Sequence, residues 1–233
     1  MKRVLSMGAG VQTTAILIDS QDYDLVMFAD TGAEHVETYD YIDKYLIPFC
    51  KKRGLVWKTV RNEKWTLEDS LRHYNGPPDT YHRVCTNDFK VRPIQRYMRR
   101  VHKVTATNPY TLIMGITYDE AHRANMSPRY LYELRAFPLV DKKMTRQDCK
   151  DVIRRHGWPL PRKSGCDFCP LQRRAGWKRL KVESPKRFAE LVELERDFKN
   201  GMTFSLSGVP LTKYLESHQL EDFGECIDGS CHV

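Results

Sequence analysis

Long apolar runs are missing from this sequence. No stretch of the 233 residues approaches the roughly 20 apolar residues that a membrane-spanning helix needs, so no membrane partner is expected. A secretory pattern is missing too, because Lys2 and Arg3 lead straight into a short strand-like run and then glycines. The expected location is therefore cytoplasmic, where thiols stay reduced. Internal repeats and low-complexity linkers are also absent, which excludes solenoids and disordered arrays. What remains is 41% hydrophobic and 29% charged, ordinary for a globular chain long enough to bury one sizeable core.

Charge is unevenly spread. The net +8 gathers in one cluster at Lys90, Arg92, Arg96, Arg99, Arg100 and Lys103. A second lies at Lys163, Arg173, Arg174, Lys178, Arg179 and Lys181, while Glu221, Asp222, Glu225 and Asp228 make the end of the chain acidic. Basic clusters attract phosphates, of which nucleic acid is the commonest large source; a merely solvated basic surface reads the same way.

The pattern alternates strands and helices. "RVLSM", "DLVMFAD", "LVWKTV", "TLIMGI" and "AFPLV" read as strands at 3–7, 24–30, 55–60, 111–116 and 136–140. Residues 12–20 and 37–54 read as helices between them, the second with Thr38 at its first turn, a kink at Pro48 and a stop at Gly54. Thr145 caps a helix ended by Gly157, and Ser184 with Pro185 opens another whose stripe is Phe188, Leu191, Leu194 and Phe198, closed by Gly201. The expected class is α/β, a parallel sheet with helices on both faces. A nucleotide-binding domain at 1–140 and a helical, cysteine-bearing lobe at 141–233 are the expected divisions.

"SMGAGVQTTAIL", at 6–17, joins the first strand to the first helix through Gly8, Ala9 and Gly10. Free amides at a helix start, with the helix dipole behind them, make an anion site. Ser6, Thr13 and Thr14 add hydroxyls. The loop lacks the Gly-Lys-Ser/Thr of a Walker sequence, and Thr13 stands where a dinucleotide fingerprint has its third glycine. A second stretch, "FADTGAEHVET", puts Asp30, Thr31 and Gly32 at the end of the second strand, where open α/β sheets bind ligands.

Together these stretches resemble the adenine-nucleotide alpha-hydrolase superfamily, in the branch that holds the 3′-phosphoadenylylsulfate (PAPS) reductases and the sulfurtransferase of DNA phosphorothioation. "RVCTNDFKVRP" at 83–93, "GITYDEAHR" at 115–123, "PLVDKKMTRQDC" at 138–149 and "GWPLPRKSGCDFCP" at 157–170 continue the likeness in order, to about residue 200. The resemblance implies ATP, or PAPS or adenylylsulfate, across the strand ends. Ser6, Gly8, Gly10, Gln12, Thr13 and Thr14 would hold phosphates. Asp30, Thr31 and Gly32 would lie by the ribose or α-phosphate, with Asp30 catalytic, and Gly115, Asp119 and Arg123 would stand on the far side. Mg²⁺ and basic groups would stabilise charge as a substrate oxygen attacks the α-phosphate. One departure stands out: Gln12 replaces the aspartate of the commoner loop, which fits binding without cleavage as well as cleavage.

Cys166-Asp-Phe-Cys169 is a knuckle that can present two thiolates to one metal, but there is no second such pair. Cys85 stands in a motif that the resemblance assigns to the site, and the three together resemble the ligands of a [4Fe–4S] cluster with one iron open for sulfide. The alternative is a structural Zn²⁺ closed by a fourth cysteine. Cys231 is either that further metal ligand or, by likeness to the PAPS reductases, a catalytic nucleophile; Cys226 and His232 lie beside it. Cys50 and Cys149 read as core, and His82 as a polar loop residue. Three functions follow. The first is a cluster-dependent sulfurtransferase that adenylates tRNA or DNA and takes sulfur from a cysteine desulfurase or from sulfide. The second is a PAPS-type reductase using Cys231. The third is a non-catalytic nucleotide-binding module with structural zinc. A homodimer stays open.

Overall fold

The computed structural model describes residues 1–216, except 126, 128 and 129. Five parallel strands, β1 (Arg3–Met7), β2 (Leu25–Asp30), β3 (Val56–Arg61), β4 (Tyr110–Ile113) and β5 (Glu133–Ala136), lie in the order β3-β2-β1-β4-β5. The helices are α1 (Val11–Asp19), α2 (Val36–Tyr41), α3 (Ile47–Lys52), α4 (Leu67–Tyr74), α5 (Val84–Thr86) and α6 (Arg92–Val101) in the first half. They continue with α7 (Pro138–Asp141), α8 (Arg146–Arg155), α9 (Arg174–Glu183), α10 (Pro185–Arg196) and α11 (Leu211–Glu216). No helix among the described residues is long and apolar enough to cross a membrane.

Strand residues alternate between two cores. Leu5, Val26, Phe28 and Ile113 face α1, the α2–α3 arm and Cys149, Val152 and Ile153 of α8. Val4, Leu25, Met27 and Leu112 face Ile94 and Met98 of α6. The sheet is thus covered on both faces, as the alternation of strands with helices predicts. A third core holds the helical lobe. Phe168, Trp177, Leu191, Phe204 and Leu211 are fully buried there. In the same lobe the Glu195 carboxylate accepts from the amides of Phe204 and Leu211, both at 2.7 Å.

Prolines set two local departures. The helix expected at 37–54 widens into a π-helical turn at Ile42–Leu46 just before Pro48, and another at Asn87–Val91 stands just before Pro93. A proline lacks the amide that would reach back four residues, so the ladder shifts to five-residue bonds, Ile47 to Ile42 and Arg92 to Asn87. The strand expected at 136–140 is a correction. β5 ends at Ala136, and Pro138 opens the short α7, because proline cannot donate to a ladder but suits a helix start. Thr145 caps α8, as expected, and does so in a capping box with Asp148, while Ser184 stands at the start of α10 without a side-chain cap bond. Thr38 lies buried in the first turn of α2, with His35 at the cap, and Gly201 closes a short 3₁₀ turn after α10 rather than the helix itself.

Candidate active site

The strand order reverses between β1 and β4, and a cleft of about 650 Å³ opens there at the carboxyl ends of the strands. Its floor is the loop between β1 and α1. The first helical bond of α1 runs from the Thr14 amide to the Gly10 carbonyl at 3.0 Å, so the amides of residues 11–13 precede the ladder. Gly10 offers no side chain to cap them. Gly115 is there for contact: a Cβ on it would stand 2.7 Å from Thr13 Cγ2 and 3.2 Å from the Thr13 amide nitrogen.

Ser6, Gly8, Gly10, Gln12 and Thr13, which the resemblance assigns to phosphates, line this cleft together with Gly115 and Arg123. Thr14 is fully buried beneath the loop, with its hydroxyl unpartnered, and does not line the cleft. Asp119 is exposed and accepts from the Arg146 amide at 3.3 Å. The next residue, Glu120, breaks the helical path and turns inward instead, where it pairs with Arg123 at 2.7 Å.

Asp30 is buried, and its carboxylate is fully engaged. Oδ1 accepts from the Gly32 amide at 2.8 Å and from the Tyr39 hydroxyl at 2.7 Å; Oδ2 takes Arg61 at 2.6 and 2.8 Å. It braces the turn after β2, in which Gly32 has φ +73°, rather than presenting a free base to the cleft. Thr31 faces the other way. Its hydroxyl lies 3.6 Å from Cys166 Sγ.

A second cavity, of about 560 Å³, adjoins the first, with Lys90 on the wall of both. Thr31, Cys85, Cys166 and Cys169 line it. The knuckle is held by main chain: His35 donates to the Gly165 carbonyl at 3.1 Å, Asp167 to Ala33 at 3.0 Å and Cys169 to Cys166 at 3.1 Å. Its two inner residues are anchors. Phe168 is fully buried in the lobe core, and Asp167 meets Arg187 of α10 at 2.7 Å, which also reaches Glu68 of α4 at 2.7 Å. Cys85 begins on α5, after Arg83 at φ +51°, and the π turn that follows carries Lys90.

Lys90 donates to Glu34 Oε1 at 3.1 Å, while Glu34 Oε2 is buried without a partner. Burial, and then the Glu34 carboxylate, hold the Cys166 thiol well above its ordinary range. Among the described residues no three His, Cys, Asp or Glu side chains are arranged to hold a single metal ion. Cys50 and Cys149 are buried core thiols, pushed up by burial to about 11 and about 12. His82 is exposed and pairs with Asp79. Cys226, Cys231 and His232 lie outside the described residues.

Glu34 and Glu120 do not stand out in the sequence, and Lys90 appears there only as one member of a basic cluster. Lys90 and Glu34 are 56 positions apart, and no local pattern joins them. A faint signal for Glu120 is its spacing of three from Arg123, which permits a helical ion pair.

A five-stranded parallel sheet with a glycine loop and a cleft at its switch point defines an α/β protein of the kind that binds ligands at the carboxyl ends of its strands. Residues 3–162 match the phosphoadenosine phosphosulfate reductase domain, and the chain belongs to that family. An uncharacterised protein of Methanocaldococcus jannaschii is 24% identical over 179 residues, 74% of this chain but 42% of that protein. The chain thus spans less than half the length of that curated relative. The PAPS reductase of Candida auris, solved as a phosphate complex, is similar in fold with a TM-score of 0.52 at 14% identity, over 69% of this chain and 75% of that one. The U34-tRNA thiolase NcsA of Methanococcus maripaludis, solved with its [4Fe–4S] cluster, has a TM-score of 0.50 at 13% identity, over 95% and 82%.

Proposed function

We propose that this protein is a cluster-dependent sulfurtransferase that adenylates a nucleic-acid target, tRNA or DNA, with ATP and replaces an oxygen by sulfur. The observation that carries this reading is the pair of adjoining cavities: a phosphate-type cleft and a three-cysteine pocket, with Lys90 on both walls. A single Zn²⁺ draws its thiolates within about 2.3 Å of one point. The thiolates of a [4Fe–4S] cluster bind separate irons and stand farther apart. Three cysteines line one pocket, the number that the resemblance gives for a cluster with one open iron. Cys85, Cys166 and Cys169 would hold it, and its chemistry is to carry the sulfur that is transferred.

The chain's own groups do the rest. The amides of residues 11–13 and Arg123 hold the phosphates, whose counter-charge includes Mg²⁺. A target oxygen attacks the α-phosphorus, and pyrophosphate leaves. Sulfide, either free or released from a desulfurase persulfide by a thiol reductant, then attacks the adenylated atom of the target, and AMP leaves with the oxygen. Lys90 sits where the anionic nucleotide and the sulfur source meet, and its charge favours both. The family's own description keeps a second reading in play: a PAPS reductase in which Cys231 attacks the substrate sulfur.

The test is anaerobic purification with iron, zinc and sulfide assays and a visible spectrum, on wild type and on C85A/C166A/C169A. Expected are about four irons per chain and a broad visible absorption, both lost in the triple variant. One zinc without sulfide overturns the cluster reading. Cys231→Ser separates the enzymes, because a reductase loses all turnover and a sulfurtransferase not ligated by Cys231 keeps it.

A further inference from the structure

Away from both cavities, the outer face of α6 forms an open groove with the turn at 103–105 and with Tyr130 and Tyr132 ahead of β5. Five cations reach it. Asp88 holds Arg92 at 2.7 Å, and Glu63 holds Arg96 and Arg100 at 3.1 and 2.6 Å. Among the described residues no carboxylate pairs with Arg99 or Lys103, so the groove keeps an excess of positive charge. Beside these two cations the rings of Tyr130 and Tyr132 stack, with centroids 5.1 Å apart and planes 10° from parallel. The Arg99 guanidinium lies 5.7 Å from the centre of the Tyr132 ring.

The platform is firmly seated. Under it the Glu133 carboxylate is buried and accepts from Gln95 of α6 at 3.0 Å and from the Tyr110 hydroxyl at 2.8 Å, which ties α6 to β4 and β5. The groove also has a direction. Ile94, in the first turn of α6, lines the nucleotide cleft, and the helix then runs about 15 Å towards the tyrosines.

We infer that this groove docks a single strand of nucleic acid, with a base stacked on the Tyr130–Tyr132 pair and phosphates on Arg99 and Lys103. Cations spaced along a helix neutralise a phosphate backbone, and a flat aromatic pair offers what an unpaired base seeks. An acidic peptide would use the cations but has no need of the rings, and a duplex hides the faces of its bases. The inference rests on the proposed nucleic-acid target for its link to the reaction, but the binding itself needs neither ATP nor iron.

The experiment is fluorescence anisotropy with a labelled short oligouridylate, on the full chain, across a salt series. R99A/K103A is expected to weaken binding about tenfold or more and to reduce the slope of log K against log salt by about 1.4. Tyr130→Ala is expected to weaken it about fivefold or more, and to bind an abasic strand of the same length as well as wild type does. These side chains are exposed, and thermal melting confirms that the variants fold. Unchanged affinity in both variants overturns the proposal, as does a polyglutamate peptide that competes as well at equal charge, or a duplex that binds as tightly. The triple cysteine variant keeps this binding even if the sulfur-transfer reading fails. Conversely, an active enzyme whose KM for its nucleic acid is unmoved by R99A/K103A overturns the groove alone.

Discussion

The two cavities that meet at Lys90 are built in opposite ways. The cleft at β1 and α1 rests on main chain: helix-start amides and a glycine that lets the end of β4 approach Thr13, with Ser6, Gln12, Lys90 and Arg123 around them. The cysteine pocket is made of side chains on irregular segments, and those segments are fixed by anchors, Phe168 in the lobe core and Asp167 on Arg187. A backbone site depends on close approach and tolerates side-chain change around it. A side-chain site depends on whichever groups hold its loops. Damage to one cavity should therefore leave the other measurable.

The largest separation is expected from C85A/C166A/C169A. Iron and sulfur transfer fall to background, while ATP binding by isothermal titration stays within about twofold of wild type. Loss of both together would show that the two cavities are one cooperative unit. Next is Gly115→Val. Its Cβ would press on Thr13 at 2.7 Å, in a place where backbone as well as side chain must give. Overpacking of this kind costs about 1–3 kcal/mol, and moving the helix-start amides should weaken ATP about tenfold or more, with iron content unchanged. Smaller still is Tyr39→Phe, which takes one donor from Asp30 but leaves Gly32 and Arg61. It should cost about 1 kcal/mol of stability by thermal melting and change turnover little. A loss of turnover out of proportion to stability would make Asp30 a reacting group after all.

The same contrast governs how much could be read from the chain. The glycine loop, the Asp-Thr-Gly turn, the Thr145 cap and the alternating strands are local patterns, and each stands where the pattern puts it. What escaped depends on long-range company. Asp30 reads as a reactive carboxylate at a strand end until Tyr39 and Arg61 are seen to saturate it. Asp119 and Glu120 are equivalent in sequence, and only the backbone break at Glu120 decides which one faces the cleft. The apolar run at 136–140 suggests a strand, but Pro138 cannot join a ladder. Cys85 joins Cys166 and Cys169 because the knuckle bonds Ala33 and His35 after β2 while the π turn following α5 reaches Glu34 through Lys90, and spacing alone does not encode that meeting.

The finest comparison tests the anchor, where what is read is a difference between two pH values. Arg187 bonds both Asp167 and Glu68 and is about a quarter exposed. Burial alone would raise the Glu68 carboxyl, but Arg187 and Arg72 outweigh it and hold the group below its ordinary range. Its stabilisation is therefore present above the ordinary carboxylate pKa and fades as pH falls through the depressed value. Asp167 has the opposite sign. Burial outweighs Arg187 and raises it, so its contribution is complete at low pH and fades as pH rises through the raised value. Arg187→Met takes the clamp from both carboxylates and leaves Glu68 only Arg72, a loss that matters less as acid neutralises the two groups. The expected penalty is about 2 kcal/mol at about pH 7, allowing for partial exposure, and clearly smaller near about pH 3.5. Thermal melting of both proteins at the two pH values reads the difference. A penalty of equal size at both would mean that Arg187 acts as packing, and that the loop between Cys166 and Cys169 is held by Phe168 and its main-chain bonds alone.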